Sequence, residues 1–149
     1  MKRIVSLLFV LMLTLTVLPV DSLAVESEKI TLYFDDCSYA VIETIENQSR
    51  ASGSKKGQKK YTYYNGDNTA EWDVVLTGVF SFTGSSATCT SSTIDVSIYN
   101  SEWSALGKSA NKSGNVASAS ATMYWSYNGS TKSVPIGLRL TCDANGNLS

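Results

Sequence analysis

One stretch, from Trp72 to Phe82, constrains the fold of this chain more than any other. Every second residue in it is apolar or glycine, while the intervening positions are mixed; the apolar set is Trp72, Val74, Leu76, Gly78, Phe80 and Phe82. Alternation with a period of two, rich in aromatic and β-branched residues, predicts a long strand with one apolar face. The sequence Thr83-Gly84-Ser85-Ser86 is typical of a turn, so we expect a hairpin whose second strand carries Cys89.

Shorter alternating runs, separated by turn sequences, continue this pattern along the chain. Asn65-Gly66 and Asn128-Gly129 are strong hairpin turns. A bulge or bend is expected near Ser91-Ser92, because Cys89 and Ile94 are an odd number of residues apart and could not face the same side of a regular strand. Polar turn material is predicted over 47–60 and 108–115, and a loop or short helical turn begins at Asn100. Strands are predicted over 30–34, 39–46, 61–64, 72–82, 87–90, 94–99, 116–127 and 134–142.

These runs predict an all-β fold with about seven or eight short strands. Two packed antiparallel sheets would form a small β-sandwich of immunoglobulin-like type, with a closed barrel as the alternative. Residues 38–48 keep a second interpretation open, because Val41, Ile42 and Ile45 also fall at helical spacing. Pro135 indicates an edge or a bulge near the start of the last strand.

The first 24 residues are predicted to be a secretory signal peptide. A basic Met1-Lys2-Arg3 precedes an apolar run from Ile4 to Val20, and Ser22-Leu23-Ala24 offers small residues where a signal peptidase cleaves. An uncleaved membrane anchor is the alternative, since the run is long enough to span a bilayer. With cleavage after Ala24, residues 25–149 form a single secreted domain that is not inserted in a membrane.

Three cysteines allow at most one bridge within the chain. Cys89 and Cys142 each lie in a strand-like run, whereas Cys37 lies in the turn sequence Asp35–Ser38. We therefore expect a Cys89–Cys142 disulfide, which export would permit. Cys37 would then be free or form a bridge to another molecule.

The composition removes several classes of function. The chain has no histidine, so the common Ser-His-Asp and Cys-His arrangements and most catalytic zinc sites are absent. A formal net charge of −1 gives no general attraction to nucleic acid. No nucleotide-binding glycine motif occurs, and no cofactor is indicated.

A basic segment without apolar periodicity is the one candidate site for an anionic partner. Five positive charges fall within residues 47–60: Arg50, Lys55, Lys56, Lys59 and Lys60. They could bind an anionic polymer or lipid headgroup. They could equally form a solvated connection that keeps the chain soluble and protects a sheet edge.

Other combinations of residues give weaker indications of a functional site. Paired carboxylates for glycoside hydrolysis can be sought only by residue type, among Glu71, Asp73, Asp95 and Glu102. Oxygen ligands for calcium occur in two turns, at Asp67, Asn68, Asp143 and Asn145, without a full loop motif. Tyr63, Trp103 and Tyr124 could stack on sugars, although core packing explains aromatic residues equally well, and Trp103 is expected to close one end of the core.

Several motifs together resemble a recurring group of small secreted proteins of Gram-positive bacteria, over most of residues 39–149. The motifs are Tyr61-Thr62-Tyr63-Tyr64-Asn65, the run from Leu76 to Thr90, Lys112-Ser113-Gly114-Asn115, and the closing Leu140-Thr141-Cys142-Asp143-Ala144-Asn145-Gly146-Asn147-Leu148-Ser149. The resemblance implies a signal peptide and paired cysteines at Cys89 and Cys142. The chain departs from the group at Cys37, where a turn glycine is expected.

The sequence therefore predicts a secreted, non-enzymatic binding module of the cell surface or its surroundings. Its partner would be a cell-wall polymer, a glycan or a protein. The alternatives are a secreted effector, such as a bacteriocin-like toxin or an enzyme inhibitor, and a histidine-free hydrolase that uses carboxylates.

Overall fold

The computed structural model describes residues 28–47 and 53–149, which form eight antiparallel strands and no helix. The strands are β1 (Glu28–Tyr33), β2 (Tyr39–Asn47), β3 (Ser54–Tyr64), β4 (Ala70–Phe82), β5 (Ala87–Ile98), β6 (Trp103–Ser113), β7 (Val116–Tyr127) and β8 (Ser130–Thr141). The predicted signal peptide, Met1–Ala24, lies outside the described residues, as does Arg50. Within the described ranges, no helix is long and apolar enough to cross a membrane.

The strands form two sheets, which confirms the predicted all-β fold, and their number, eight, agrees with the predicted seven or eight. The five-stranded sheet has the order β1-β2-β3-β4-β5, and the three-stranded sheet has the order β6-β7-β8. Each sheet is a simple meander, because every strand pairs with its neighbours in sequence. An immunoglobulin domain has Greek-key connections instead, so the immunoglobulin-like topology is not observed. The barrel is not observed either, since no ladder joins β5 to β6 or β8 to β1 among the described strands.

The core lies between the two sheets and follows the predicted alternation. Trp72, Val74, Leu76 and Phe80 of β4 are fully buried in one cluster with the inward residues of β7 and β8. On β7 these are the small residues Ala117, Ala119 and Ala121 followed by Met123, and on β8 they are Ile136, Leu138 and Leu140. The small side chains let the sheets approach closely: a Cβ atom added to Gly78 would lie only 3.1 Å from that of Ala117.

The predicted irregularity near Ser91-Ser92 is confirmed. Val79 pairs with Ser91 and the next residue, Phe80, pairs with Cys89, so Thr90 is the extra residue of a bulge. The hairpin interpretation of residues 30–46 is also confirmed over the helical one, because β1 and β2 pair without interruption from Glu28↔Thr44 to Tyr33↔Tyr39.

Two predictions of polar turns are wrong. Residues 54–60 are the first half of β3, and residues 108–113 belong to β6. In β3 the lysine charges are accommodated by acids on neighbouring strands: Lys55 Nζ lies 2.5 Å from Glu46 Oε2, and Lys60 Nζ lies 2.9 Å from Asp73 Oδ2. A strand can therefore form without an apolar alternation of its own, because its partners supply the pairing.

The predicted Cys89–Cys142 disulfide is not present, because all three cysteines are free thiols. Both residues are nevertheless buried at the same end of the sandwich. Their backbone N–H groups donate to the carbonyls of two adjacent residues of the β6–β7 turn, Cys89 to Gly114 at 2.7 Å and Cys142 to Asn115 at 3.0 Å. Cys37 is exposed in the β1–β2 turn, as predicted.

Candidate functional site

Four connections meet at one end of the sandwich and enclose a cleft. Two adjoining hollows, of about 530 and 410 Å³, share Asp36, Tyr63 and Lys132 in their walls. Together we call them the end cleft. Its lining also includes Phe34, Asp35, Tyr61, Asn65, Glu71, Asn100, Glu102, Trp103, Trp125, Ser133, Val134 and Pro135. Volumes of this size are typical of small-ligand sites.

Aromatic rings form the base of the end cleft. Tyr63 stacks on Trp72 with ring centroids 5.1 Å apart, and Trp103 meets the Tyr63 ring edge-on at 5.4 Å. The rings of Tyr63 and Trp103 are almost fully buried. This confirms that Trp103 closes one end of the core. Trp125 is opposite Trp103 in the β6–β7 register and is only half-buried, so it offers the more accessible indole.

Glu71 holds the base together. Its Oε1 accepts a hydrogen bond from Asn65 Nδ2 at 2.7 Å, and its Oε2 accepts from Asn100 Nδ2 at 2.6 Å and Trp103 Nε1 at 3.0 Å. Three neutral donors therefore satisfy a carboxylate that is only 7% exposed. This network joins the β3–β4 turn to the β5–β6 loop and fixes the Trp103 indole.

Glu102 fixes the second indole and keeps one oxygen available. Trp125 Nε1 donates to Glu102 Oε2 at 2.8 Å, while the backbone carbonyl of Glu102 accepts from Ser126 N at 3.1 Å. No side-chain hydrogen bond reaches Oε1 within the described part of the chain. A carboxylate oxygen beside a half-exposed indole can therefore accept a hydrogen bond from a ligand.

Lys132, on β8, joins the two sheets at the end cleft. Its Nζ donates to Asp36 Oδ2 at 2.5 Å and to Tyr63 Oη at 2.7 Å, and it lies 5.1 Å from the centroid of the Tyr63 ring. The hydrogen bond from Lys132, with that from Ser38, lowers the pKa of Asp36 to about 2. Burial lowers the pKa of Lys132, but the hydrogen bonds to Asp36 and Tyr63 outweigh burial and raise it overall. Both groups are therefore charged at neutral pH, and the ammonium keeps one N–H for a ligand.

The four described lysines of the predicted basic segment do not lie together on one face. Strand β3 alternates, so Lys55 and Lys59 share the face of Tyr61, whereas Lys56 and Lys60 lie on the opposite face. Lys55 and Lys60 are also ion-paired within the sheet. A role of these residues in binding an anionic partner stays a prediction.

Of the four carboxylates named from the sequence, Glu71 and Glu102 meet in the end cleft and the other two do not. Asp73 lies on the outer face of the five-stranded sheet, where Lys60 and the Tyr99 hydroxyl contact its Oδ2. Asp95 lies on the same outer face, one strand away on β5. Two of the three aromatic candidates, Tyr63 and Trp103, line the cleft, whereas Tyr124 lies outside it.

Of the oxygen ligands proposed in the two turns, those of Asp143 are used within its own turn. Asp143 Oδ1 accepts from the N–H groups of Asn145 and Asn147 at 2.8 and 2.9 Å, and hydrogen bonds from Asn147 and its neighbours lower the pKa of Asp143. Asp67 and Asn68 lie in the separate β3–β4 turn. Among the described residues, no group of three or more His, Cys, Asp or Glu side chains could hold a metal ion.

Sequence reasoning missed Asp36, Lys132 and the role of Trp125 in the cleft. One signal was available: the Asn128-Gly129 turn fixes the β7–β8 register and so places Lys132 opposite Trp125. The Asp36–Lys132 contact carries no such signal, because the two residues are 96 positions apart.

The fold and the site define a protein of two facing antiparallel meander sheets with a ligand-sized cleft at one end. No protein-family model, no curated protein and no solved structure matches the chain.

Proposed function

We propose that the protein is a secreted, non-enzymatic binding module that takes a glycan of the cell surface or its surroundings into the end cleft. One observation carries this proposal: the partly exposed Trp125 indole stands beside a Glu102 oxygen that has no side-chain partner among the described residues, and Lys132, its register partner on β8, lines the same hollow. Sugars present apolar C–H faces and hydroxyl groups together. An aromatic ring flanked by an acceptor and a charged donor complements both.

The side chains of the end cleft are already held in place, which favours binding. Trp125 is fixed by Glu102, Trp103 by Glu71, and Lys132 by Asp36 and Tyr63. A ligand would therefore meet side chains whose rotamer entropy has already been lost, which lowers the free-energy cost of association. Glu71 accepts three hydrogen bonds that fix the base, and Glu102 positions the Trp125 indole, so both cleft carboxylates hold aromatic rings or their neighbours in place, which supports binding better than carboxylate hydrolysis.

The same proposal includes export of the protein and its relation to small secreted proteins of Gram-positive bacteria. They are supported by the basic and apolar pattern of Met1–Ala24 and by the motifs shared with small secreted proteins of Gram-positive bacteria. Mass spectrometry of culture supernatant tests export, since a released chain should begin at Val25. An intact N-terminus in the cell fraction alone would contradict it.

Binding is tested by incubating the protein with isolated Gram-positive cell wall and with a panel of immobilised glycans. We expect a retained fraction for the unaltered protein and at least a tenfold loss for Trp125→Ala. The matched control is Leu106→Ala, which removes an exposed apolar side chain on the outer face of β6. Absence of binding to every glycan, or equal binding by Trp125→Ala, would refute the proposal.

A further inference from the structure

The two sheets of the described chain have four edges, and three of them are protected. Edge strand β8 contains Pro135, and at its end Thr141 exchanges two hydrogen bonds with Ser149, at 2.9 and 3.0 Å. Edge strand β6 is interrupted by a register shift between Leu106 and Ser109. Edge strand β5 carries the Thr90 bulge, and Lys112 Nζ donates to its Thr90 carbonyl at 2.6 Å. Prolines, bulges, lysines and covering segments are the known devices against pairing with another chain.

Within the described residues, edge strand β1 has no proline, bulge or covering segment, and its one lysine is ion-paired with a residue of its own sheet. Its pairing with β2 runs without a register shift, and it contains no proline. Its only lysine, Lys29, is turned to its own sheet, where Nζ lies 2.7 Å from Glu43 Oε1. Every residue of β1 is exposed, so one row of backbone N–H and C=O groups faces outward without a partner strand among those described.

The apolar residues of β1 are exposed because the three-stranded sheet is too narrow to cover them. Strand β1 contacts β2 and no other strand. Ile30 and Leu32 point to the core side of the sheet, yet they are 48% and 42% exposed. An unprotected edge therefore coincides with an uncovered apolar row.

We propose that β1 pairs antiparallel with β1 of a second copy of this chain, about a two-fold axis at Thr31. The two five-stranded sheets would then form one continuous sheet. This register sets Ile30 beside Leu32 of the second copy on the core side, and Lys29 beside Tyr33 of the second copy on the outer side. A shift by two residues in one direction would set Glu28 against Leu32, and a shift in the other direction would set Ile30 against Phe34, which lies beyond the end of β1.

A second copy fits this edge because the strand is complementary to itself. A two-fold interface presents the same patch from both sides, and here each apolar residue meets an apolar one while the lysine meets a tyrosine ring. The contact is one strand wide, so we expect dissociation in the micromolar range, typical of small interfaces.

Analytical ultracentrifugation of the purified protein tests the dimer, with Thr31→Lys and Thr31→Glu as variants. Each variant puts two like charges opposite each other at the two-fold axis, and each should raise the dissociation constant at least tenfold. A mixture of the two variants should form a heterodimer, because the charges then attract. Thr93→Lys, an exposed threonine on the outer face of β5, is the matched control and should dimerise normally.

Thermal unfolding of each variant shows whether it is folded. Formation of the heterodimer in the mixture also requires that both Thr31 variants are folded. A protein that stays monomeric at several hundred micromolar would overturn the proposal. So would a dimer that neither Thr31 variant weakens.

Discussion

At Cys37 the backbone has a φ of 62°, in the left-handed region that favours glycine. A side chain there costs about 1–2 kcal/mol, which the extra unfolded-state entropy of glycine partly offsets. We therefore expect Cys37→Gly to raise the free energy of unfolding by about 0.5–1 kcal/mol in urea titrations under reducing conditions.

Cys37→Ala is the control for this substitution. It removes the same thiol but keeps a Cβ atom at the same φ, so it should leave stability nearly unchanged. A similar gain in both variants would attribute the effect to the thiol and not to the backbone.

The three thiols should differ sharply in reactivity. Cys37 is exposed, whereas Cys89 and Cys142 are buried, and burial raises the pKa of both thiols. Because the thiolate is the reactive form, a thiol reagent should modify one cysteine in the native protein and all three after unfolding without reductant. A count of one after unfolding would show that Cys89 and Cys142 are joined.

At the scale of elements, the Asp36–Lys132 pair ties the β1–β2 turn to β8. Its acid has a folded pKa of about 2, below the ordinary 3.8. A lowered folded pKa stabilises the fold above the unfolded pKa, and this contribution is lost as the pH falls from about 4 through 2. Both side chains are partly exposed, so the contribution at neutral pH should be below about 1 kcal/mol.

Asp36→Asn should therefore lower the free energy of unfolding at pH 7, and the difference from the unaltered protein should vanish near pH 2. Urea titrations across this range measure it. Asp35→Asn, which changes a neighbouring acid without an ion pair in the described chain, should show a smaller difference at pH 7. A difference for Asp36→Asn that is constant from pH 7 to pH 2 would contradict the assignment.

The elements that the sequence predicted best are those with an alternating apolar face. Strand β7 has the predicted bounds, Val116–Tyr127, and β4 includes all of Trp72–Phe82. Strand β3 was predicted only over 61–64 and strand β6 was not predicted, because polar residues make up much of each. What makes residues 54–60 a strand is their ladder with β2 and β4 and the acids Glu46 and Asp73, and neither is visible from the local sequence.

At the scale of the whole molecule, the sequence indicated two packed sheets but not their meander order. Local patterns define strands and turns, whereas strand order depends on which connections cross between sheets. The end cleft was predictable only in part for the same reason. Tyr63 and Trp103 were named as aromatic candidates and Glu71 and Glu102 as acids, but four distant connections assemble them, and Lys132 and Asp36 join only in the folded chain.

The indole N–H resonances of the three tryptophans show directly whether a glycan enters the end cleft. The Trp125 N–H bonds to Glu102 beside the proposed ligand, the Trp103 N–H bonds to Glu71 in the base, and Trp72 is fully buried in the core. Titration of ¹⁵N-labelled protein with soluble cell-wall glycan should shift the Trp125 resonance most, Trp103 less and Trp72 least. Saturable binding that leaves the Trp125 resonance unchanged, or no binding at all, would contradict the proposal that a glycan enters the end cleft.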